Sequence, residues 1–156
     1  MNRRVLFLLK FVALLILFEV PLFLEPVDTH IVRPLSALIA AAAGRILGVT
    51  VRGTILSAPC FAVNIQNGCN GLETVLFLIA AVLAFPASRA QKAIAVAIGI
   101  VLIQAINLIR VVTLYLIGCY RPQWFASFHL AVWQTIVFAT AVLFFAAWSR
   151  RAVASA

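Results

Sequence analysis

Apolar residues run through this chain in blocks too long for the faces of a soluble fold. The first extends from Val5 to Leu24, preceded by Asn2-Arg3-Arg4 and closed by Glu25-Pro26. The strongest later blocks are Leu72 to Phe85, Ala93 to Gly118 and Leu130 to Trp148, separated by Ser88-Arg89-Ala90-Gln91-Lys92 and by Tyr120-Arg121-Pro122-Gln123. A membrane-crossing helix needs about 20 consecutive apolar residues, so the pattern predicts spans over about 5–24, 72–87, 93–118 and 130–148. A basic start and an apolar middle also describe a signal peptide. Here no small-x-small cleavage pattern follows, and Glu19 and Pro21 interrupt the end, so the first block is read as a retained helix.

Pro34 to Val49 is apolar in the middle but carries Arg45 and follows Arg33, and at about 15 residues it is short for a span. The distribution of charge decides its place. With four spans and this segment lying on the surface, Arg3, Arg4, Lys10, Arg89, Lys92, Arg150 and Arg151, seven of the twelve basic residues, fall on the cytoplasmic side. If the segment crossed, the last four of these would move outside. It is therefore expected as an amphipathic helix, 34–49, on the outer face, with Arg45 in the headgroup region. Thr50 to Leu56 and Cys60 to Gln66 flank Ser57-Ala58-Pro59 and read as a β-hairpin, 50–67. Unpaired strand edges cannot face lipid, so the hairpin belongs above the membrane.

Composition confirms the class that the pattern implies: 65% hydrophobic and 10% charged residues, with a mean hydropathy of +1.16, exclude an ordinary soluble domain. The expected fold class is an all-α integral membrane protein, a bundle of about four transmembrane helices forming one domain over 1–156, with the lipid bilayer as its first partner. A net charge of +8 could mean nucleic acid in a soluble protein. Placed as topology markers, the basic residues carry no such meaning, and no nucleic-acid partner is expected.

Three chemically capable residues then stand out, because each lies near the same end of an apolar block. Counting helical rises from the basic loops gives roughly 30 Å to Cys69, 27 Å to Arg110 and 32 Å to His129, close to the thickness of the hydrocarbon layer. Cys69 sits in Asn67-Gly68-Cys69-Asn70-Gly71-Leu72-Glu73. Asn70 can cap the following helix with Glu73 as its capping-box partner, which would hold the thiol at a helix N-terminus and favour the thiolate. Arg110 ends a polar stripe with Gln104 and Asn107 at i, i+3, i+6, and such a stripe should face protein or trapped water. His129 opens the last span with Trp133 one turn on, expected on the same face, and its near-neutral pKa suits it to move a proton beside a thiol. His30, Asp28 and Glu25 lack any recognised metal-ligand spacing. Cys60 and Cys119 both fall on the outer side, where a disulfide is permitted, but nothing in their spacing requires one.

These blocks, Asn-Gly-Cys-Asn-Gly-Leu-Glu before a span, Asn107-Leu108-Ile109-Arg110-Val111 late in the next and His129 opening the last, resemble the signature blocks of the exosortase and archaeosortase family of membrane cysteine transpeptidases. The short length and the wording around Cys69 look most similar to the exosortase H subfamily, whereas many members have Ala-Cys-Ser-Gly where this chain has Gly68-Cys69-Asn70-Gly71. The resemblance covers roughly Pro34 to Trp148. It implies catalytic Cys69, Arg110 and His129, supported by Asn67, Asn70, Glu73, Asn107 and Trp133, with no cofactor. The implied substrates are membrane-anchored exported proteins with C-terminal sorting tails, each a short motif, a transmembrane helix and a basic tail. The implied location is the bacterial cytoplasmic membrane with the active site on the outer face. The competing classes are a small-solute transporter or assembly subunit that uses the polar stripe as part of a path, and a membrane hydrolase that only cleaves.

Overall fold

The computed structural model describes residues 2–154; Met1, Ser155 and Ala156 of the expected 1–156 domain lie outside the described residues. Helix α1 (Arg3–Glu19) continues through a 3-10 turn at Val20–Phe23. The short α2 (Glu25–Val27) and a π turn (Asp28–Val32) lead into α3 (Arg33–Leu47). Three strands follow, β1 (Thr50–Arg52), β2 (Ile55–Ala58) and β3 (Phe61–Asn64). Helices α4 (Leu72–Ala84) and α5 (Arg89–Tyr120) come next, and the chain ends with α6 (Phe125–Ser127), a second π turn (Phe128–Val132) and α7 (Trp133–Ala154).

Among the described residues, four helical stretches are long and apolar enough to cross a membrane: Arg4–Phe23, Glu25–Leu47, Arg89–Tyr120 and Pro122–Ala152. The chain is thus a membrane protein built on a helical bundle, but these are not quite the four spans expected. The run expected over 72–87 forms only the 13-residue α4, about 20 Å long against a hydrocarbon layer of about 30 Å. Its environment explains why a short helix serves. α4 packs against α1, α5 and α7, and Thr74, Val75, Leu78, Ala80, Ala81, Val82 and Ala84 are buried. A helix enclosed by protein need not match the lipid. The helix expected over 34–49 instead belongs to a 23-residue stretch that starts well before Pro34, because the π turn carries helical backbone through Asp28–Val32.

The N-terminus of α1, the C-terminus of α4, the start of α5 and the end of α7 meet at one end of the bundle. Phe7 lies 6.3 Å from Phe85, Phe85 lies 5.5 Å from Trp148, and Lys92 Nζ donates to the Leu83 carbonyl at 2.8 Å. The seven basic residues named above therefore share that end. Here Ser88 and Gln91 form the capping box that opens α5: Gln91 N donates to Ser88 Oγ at 3.3 Å, and Ser88 N donates to Gln91 Oε1 at 3.0 Å.

At the other end α3 and the sheet close over the C-terminal half of α5. Ile39, Ala40 and Ala43 of α3, Leu56 of β2, Ile65, and Val111 and Tyr115 of α5 make one buried cluster. The β structure is a three-stranded antiparallel sheet in the order β1-β2-β3, not the simple hairpin expected. The first run turns back on itself at Gly53, whose φ of 60° is a conformation that glycine adopts freely. This divides it into β1 and β2, paired Val51↔Leu56, while β2 pairs with β3 across Pro59-Cys60. Cys60 in that turn is disulfide-bonded to Cys119 near the end of α5, fastening the sheet to the bundle. Before reduction a thiol reagent should therefore label one of the three cysteines, Cys69, and after reduction all three, as counted by mass. The double substitution Cys60→Ser with Cys119→Ser should cost about 2–4 kcal/mol of stability.

Candidate active site

The loop between β3 and α4 carries Cys69, and α5 reads that loop along its length. Arg110 Nη1 donates to the Gly68 carbonyl at 3.2 Å, Asn107 Nδ2 to the Cys69 carbonyl at 3.1 Å, and Gln104 Nε2 to the Asn70 carbonyl at 3.2 Å. Three side chains spaced i, i+3, i+6 thus hold three successive carbonyls, with the loop running antiparallel to the helix. Irregular backbone is tolerated at membrane depth only where protein satisfies it. The polar stripe does that for the Cys69 loop, its donors being taken up by three of the protein's own carbonyls. Asn107 is 0% and Arg110 2% exposed.

Gly68 and Gly71, with φ of 81° and 72°, bend the loop on either side of Cys69. A Cβ added to Gly71 would lie 3.0 Å from Asn107 Cγ, so the bend and the close approach to α5 both require glycine. Asn70 is fully buried. Its Oδ1 accepts from Leu72 N at 3.0 Å, and its Nδ2 donates to Ser36 Oγ of α3 at 3.2 Å. The capping box expected between Asn70 and Glu73 is not formed. The N-cap position is Gly71, without a side-chain bond of its own, and Asn70 one residue earlier serves both ends at once, its Oδ1 on the first N–H of α4 and its Nδ2 on α3. Glu73 instead lines a cavity with Glu19, Thr74 and Gln134. Asn67 closes a local turn, its Oδ1 accepting from Gly68 N at 3.2 Å.

The structure brings Cys69, Arg110 and His129 together. Cys69 Sγ and His129 Nε2 are hydrogen-bonded at 2.9 Å. In the tautomer with hydrogen on Nδ1, Nε2 accepts from the thiol. Arg110 Nη2 makes a longer contact, 3.5 Å, to the His129 carbonyl, so one guanidinium spans the thiol loop and the imidazole helix. His129 lies in the second π turn, a local widening often found at functional sites. Its ring stacks on Phe125 at 5.7 Å. Trp133, expected on the face of His129, packs one turn further along against the cluster of Val75, Leu78 and Val137; it supports the core under the site and does not line the cavity at the thiol.

Burial pushes the Cys69 thiol up from its ordinary pKa, the Arg110 guanidinium and a backbone hydrogen bond at Gln66 pull it part of the way back, and Glu73 pushes it further up. The balance favours the thiol over the thiolate. This reverses the expectation of a thiolate at a helix N-terminus, and the geometry explains it: α4 starts at Leu72, and the Cys69 N–H is already spent on the Gln66 carbonyl at 3.0 Å. The thiol faces a cavity of about 160 Å³ lined by Val63, Asn64, Ile65, Val111, Leu114, Phe125 and His129.

Two contributors escaped the sequence reading. Ser36 is a lone hydroxyl on an apolar helix, a signal that could have been noticed. Phe125 is visible only as the i−4 neighbour of His129. Among the other candidates, Asp28 pairs with Arg33 at 2.7 Å and His30 Nδ1 bonds the Pro26 carbonyl at 2.8 Å.

Fold and site together define a membrane-embedded helical protein that presents a cysteine–histidine pair, tied by a buried arginine, at one end of its bundle. The chain matches the family model of the transmembrane exosortases (Exosortase_EpsH) over residues 1–147, and it belongs to that family. No curated protein and no solved structure matches it.

Proposed function

We propose that this exosortase-family protein is a cysteine transpeptidase or endopeptidase that removes C-terminal sorting tails from exported, membrane-anchored proteins. The observation that carries the reading is the 2.9 Å contact between Cys69 Sγ and His129 Nε2 in a chain of this family. In the first step His129 Nε2 takes the thiol proton as Cys69 Sγ attacks the scissile carbonyl carbon. The tetrahedral intermediate collapses, the C–N bond breaks, and His129 returns the proton to the leaving amine, which departs with the substrate's helix. The new acyl group remains on Cys69 as a thioester. An amine or water then attacks the thioester carbonyl, giving an amide or an acid and restoring the thiol.

Arg110 supplies positive charge to the site while its donors hold the Gly68 and His129 carbonyls, so its part is to position the pair and to stabilise negative charge at sulfur. The basic end of the bundle faces the cytoplasm under the positive-inside tendency. That leaves the thiol on the outer, periplasmic face of the bacterial cytoplasmic membrane, where an exported substrate arrives.

The test is co-expression with an exported protein carrying a candidate tail, followed by rapid acid quench. The wild type is expected to yield a shortened substrate together with an enzyme–substrate adduct that neutral hydroxylamine removes. Processing that proceeds while no hydroxylamine-sensitive adduct forms, even with acceptor withheld, rules the thioester route out.

A further inference from the structure

The sheet beside the thiol ends in an open edge. Among the described residues β3 pairs with β2 alone. Across the two-residue Pro59-Cys60 turn, Ala58 pairs with Phe61, Ser57 with Ala62, Leu56 with Val63 and Ile55 with Asn64. In an antiparallel ladder the residues that exchange hydrogen bonds alternate, beginning with the pair that flanks a two-residue turn. The N–H and C=O groups of Phe61 and Val63 therefore point to β2, and those of Ala62 and Asn64 point away from it. The alternation continues at Ile65, whose N–H donates to the Thr54 carbonyl at 2.9 Å. Ala62 and Asn64 are exposed.

This edge is placed between two cavities. Val63, Asn64 and Ile65 line the thiol cavity of about 160 Å³, a size comparable to cavities that hold one benzene-sized group. Asn64 and Ile65 also line a second, polar cavity of about 410 Å³ with Asp28, Arg33, Thr54 and Gln66. Thr54 Oγ1 donates to Asn64 Oδ1 at 2.6 Å, fixing the side chain at the boundary between the two.

We infer that the free edge of β3, at Ala62 and Asn64, is the docking strand for an extended segment of the substrate, which adds to the sheet as a fourth strand and delivers its scissile peptide to Cys69. The inference rests on the function proposed above and names how that substrate is held. The occupant follows from the chemistry of the cavity. A thiol attacks a peptide carbonyl that is accessible, and carbonyls within a helix are turned along the helix axis and already bonded. The segment cut must therefore be the non-helical stretch next to the substrate's membrane helix. Main-chain hydrogen bonds to an exposed edge supply affinity in such binding, and pockets flanking the edge select alternate side chains. The thiol cavity takes an apolar side chain of modest size, and the polar cavity takes a hydrogen-bonding one.

The test reads binding rather than cleavage. It uses the full chain carrying Cys69→Ala in detergent micelles, and as probe a synthetic peptide covering the residues before and just into the C-terminal helix of a protein processed in the co-expression assay. Ala62 sits at a position whose N–H is not used by β2, so Ala62→Pro removes an edge donor and leaves the internal ladder whole. It is expected to weaken the Kd about tenfold or more, whereas Ala62→Val, which keeps the N–H, stays within about twofold. Single N-methylation along the peptide is expected to weaken binding at every second residue across the docked stretch. Unchanged affinity in Ala62→Pro, or N-methylation that is tolerated throughout or harmful without alternation, overturns the inference. The N-methyl scan needs no change in β3, so it decides the matter even where Ala62→Pro fails to fold. A peptide that binds with this alternation but is left uncut by the chain with Cys69 intact would sink the catalytic reading and leave the docking strand standing.

Discussion

Cys69→Ala is expected to reduce processing of a tailed substrate by about 10⁴-fold or more, the scale seen when a covalent nucleophile is removed. The substitution takes away the one atom that forms the acyl bond, and no other free thiol replaces it, because Cys60 and Cys119 are bonded to each other. Folding should survive. The thiol is only partly buried, and its side-chain hydrogen bond is the one to His129, while the carbonyls of the loop are held by α5 whatever residue stands at 69. The comparison is made by following the substrate's mobility shift in wild type and variant at matched membrane levels. Processing by Cys69→Ala at more than a few per cent of the wild-type rate means that another group does the chemistry. Cys69→Ser keeps the shape and one hydrogen bond but places a far less acidic hydroxyl in a site that already disfavours the anion, so it should be nearly as impaired.

The second large effect is expected at Arg110. Its guanidinium contacts the carbonyls of Gly68 and His129 at once, a span that a planar fork of donors can make and a single ammonium cannot. Arg110→Lys keeps the positive charge near sulfur and gives up the bridge. Arg110→Ala gives up both and leaves two carbonyls short of a donor, at a cost of about 1–3 kcal/mol each where they are buried. Processing should fall about 10²–10³-fold in Arg110→Lys and further in Arg110→Ala, and only the alanine variant should lose more than a few degrees in thermal unfolding in detergent. A lysine variant with wild-type rates would show that charge alone is needed and that the bridge is incidental.

How far the chain could be read depended on the kind of force that decides each feature. Hydrophobic run length is a local quantity with a large free energy behind it, so the membrane class, the helical bundle and the helices beginning at Arg4 and Arg89 were legible. The length of the helix within Leu72 to Phe85 was less legible: α4 runs between the two ends of the bundle in 13 residues, and hydropathy cannot tell a helix that meets lipid from one packed among α1, α5 and α7. Run length also missed the turn at Gly53, a single residue in a run that otherwise favours strand. At the site, counting helical rises put Cys69, Arg110 and His129 near one height, and the period of Gln104, Asn107 and Arg110 showed that one face of α5 needed polar partners. The identity of those partners, three consecutive carbonyls of the Cys69 loop, was not legible. Nor was the double use of Asn70, whose Oδ1 takes the first N–H of α4 while its Nδ2 reaches Ser36, in place of the reciprocal box with Glu73 that local spacing favoured.

The chain by itself determined that this is a membrane protein, which residues could do thiol chemistry, and that they lie at one level, since all of that follows from residue type and from distances measured along single helices. Only the tertiary structure decided that Cys69 and His129 touch, that Arg110 ties their two segments together, that Cys60 pairs with Cys119, and that the edge of β3 stays open beside the thiol. Each of these is a contact between segments far apart in sequence. Such contacts are set by which helices become neighbours, and that choice depends on the packing of all of them at once.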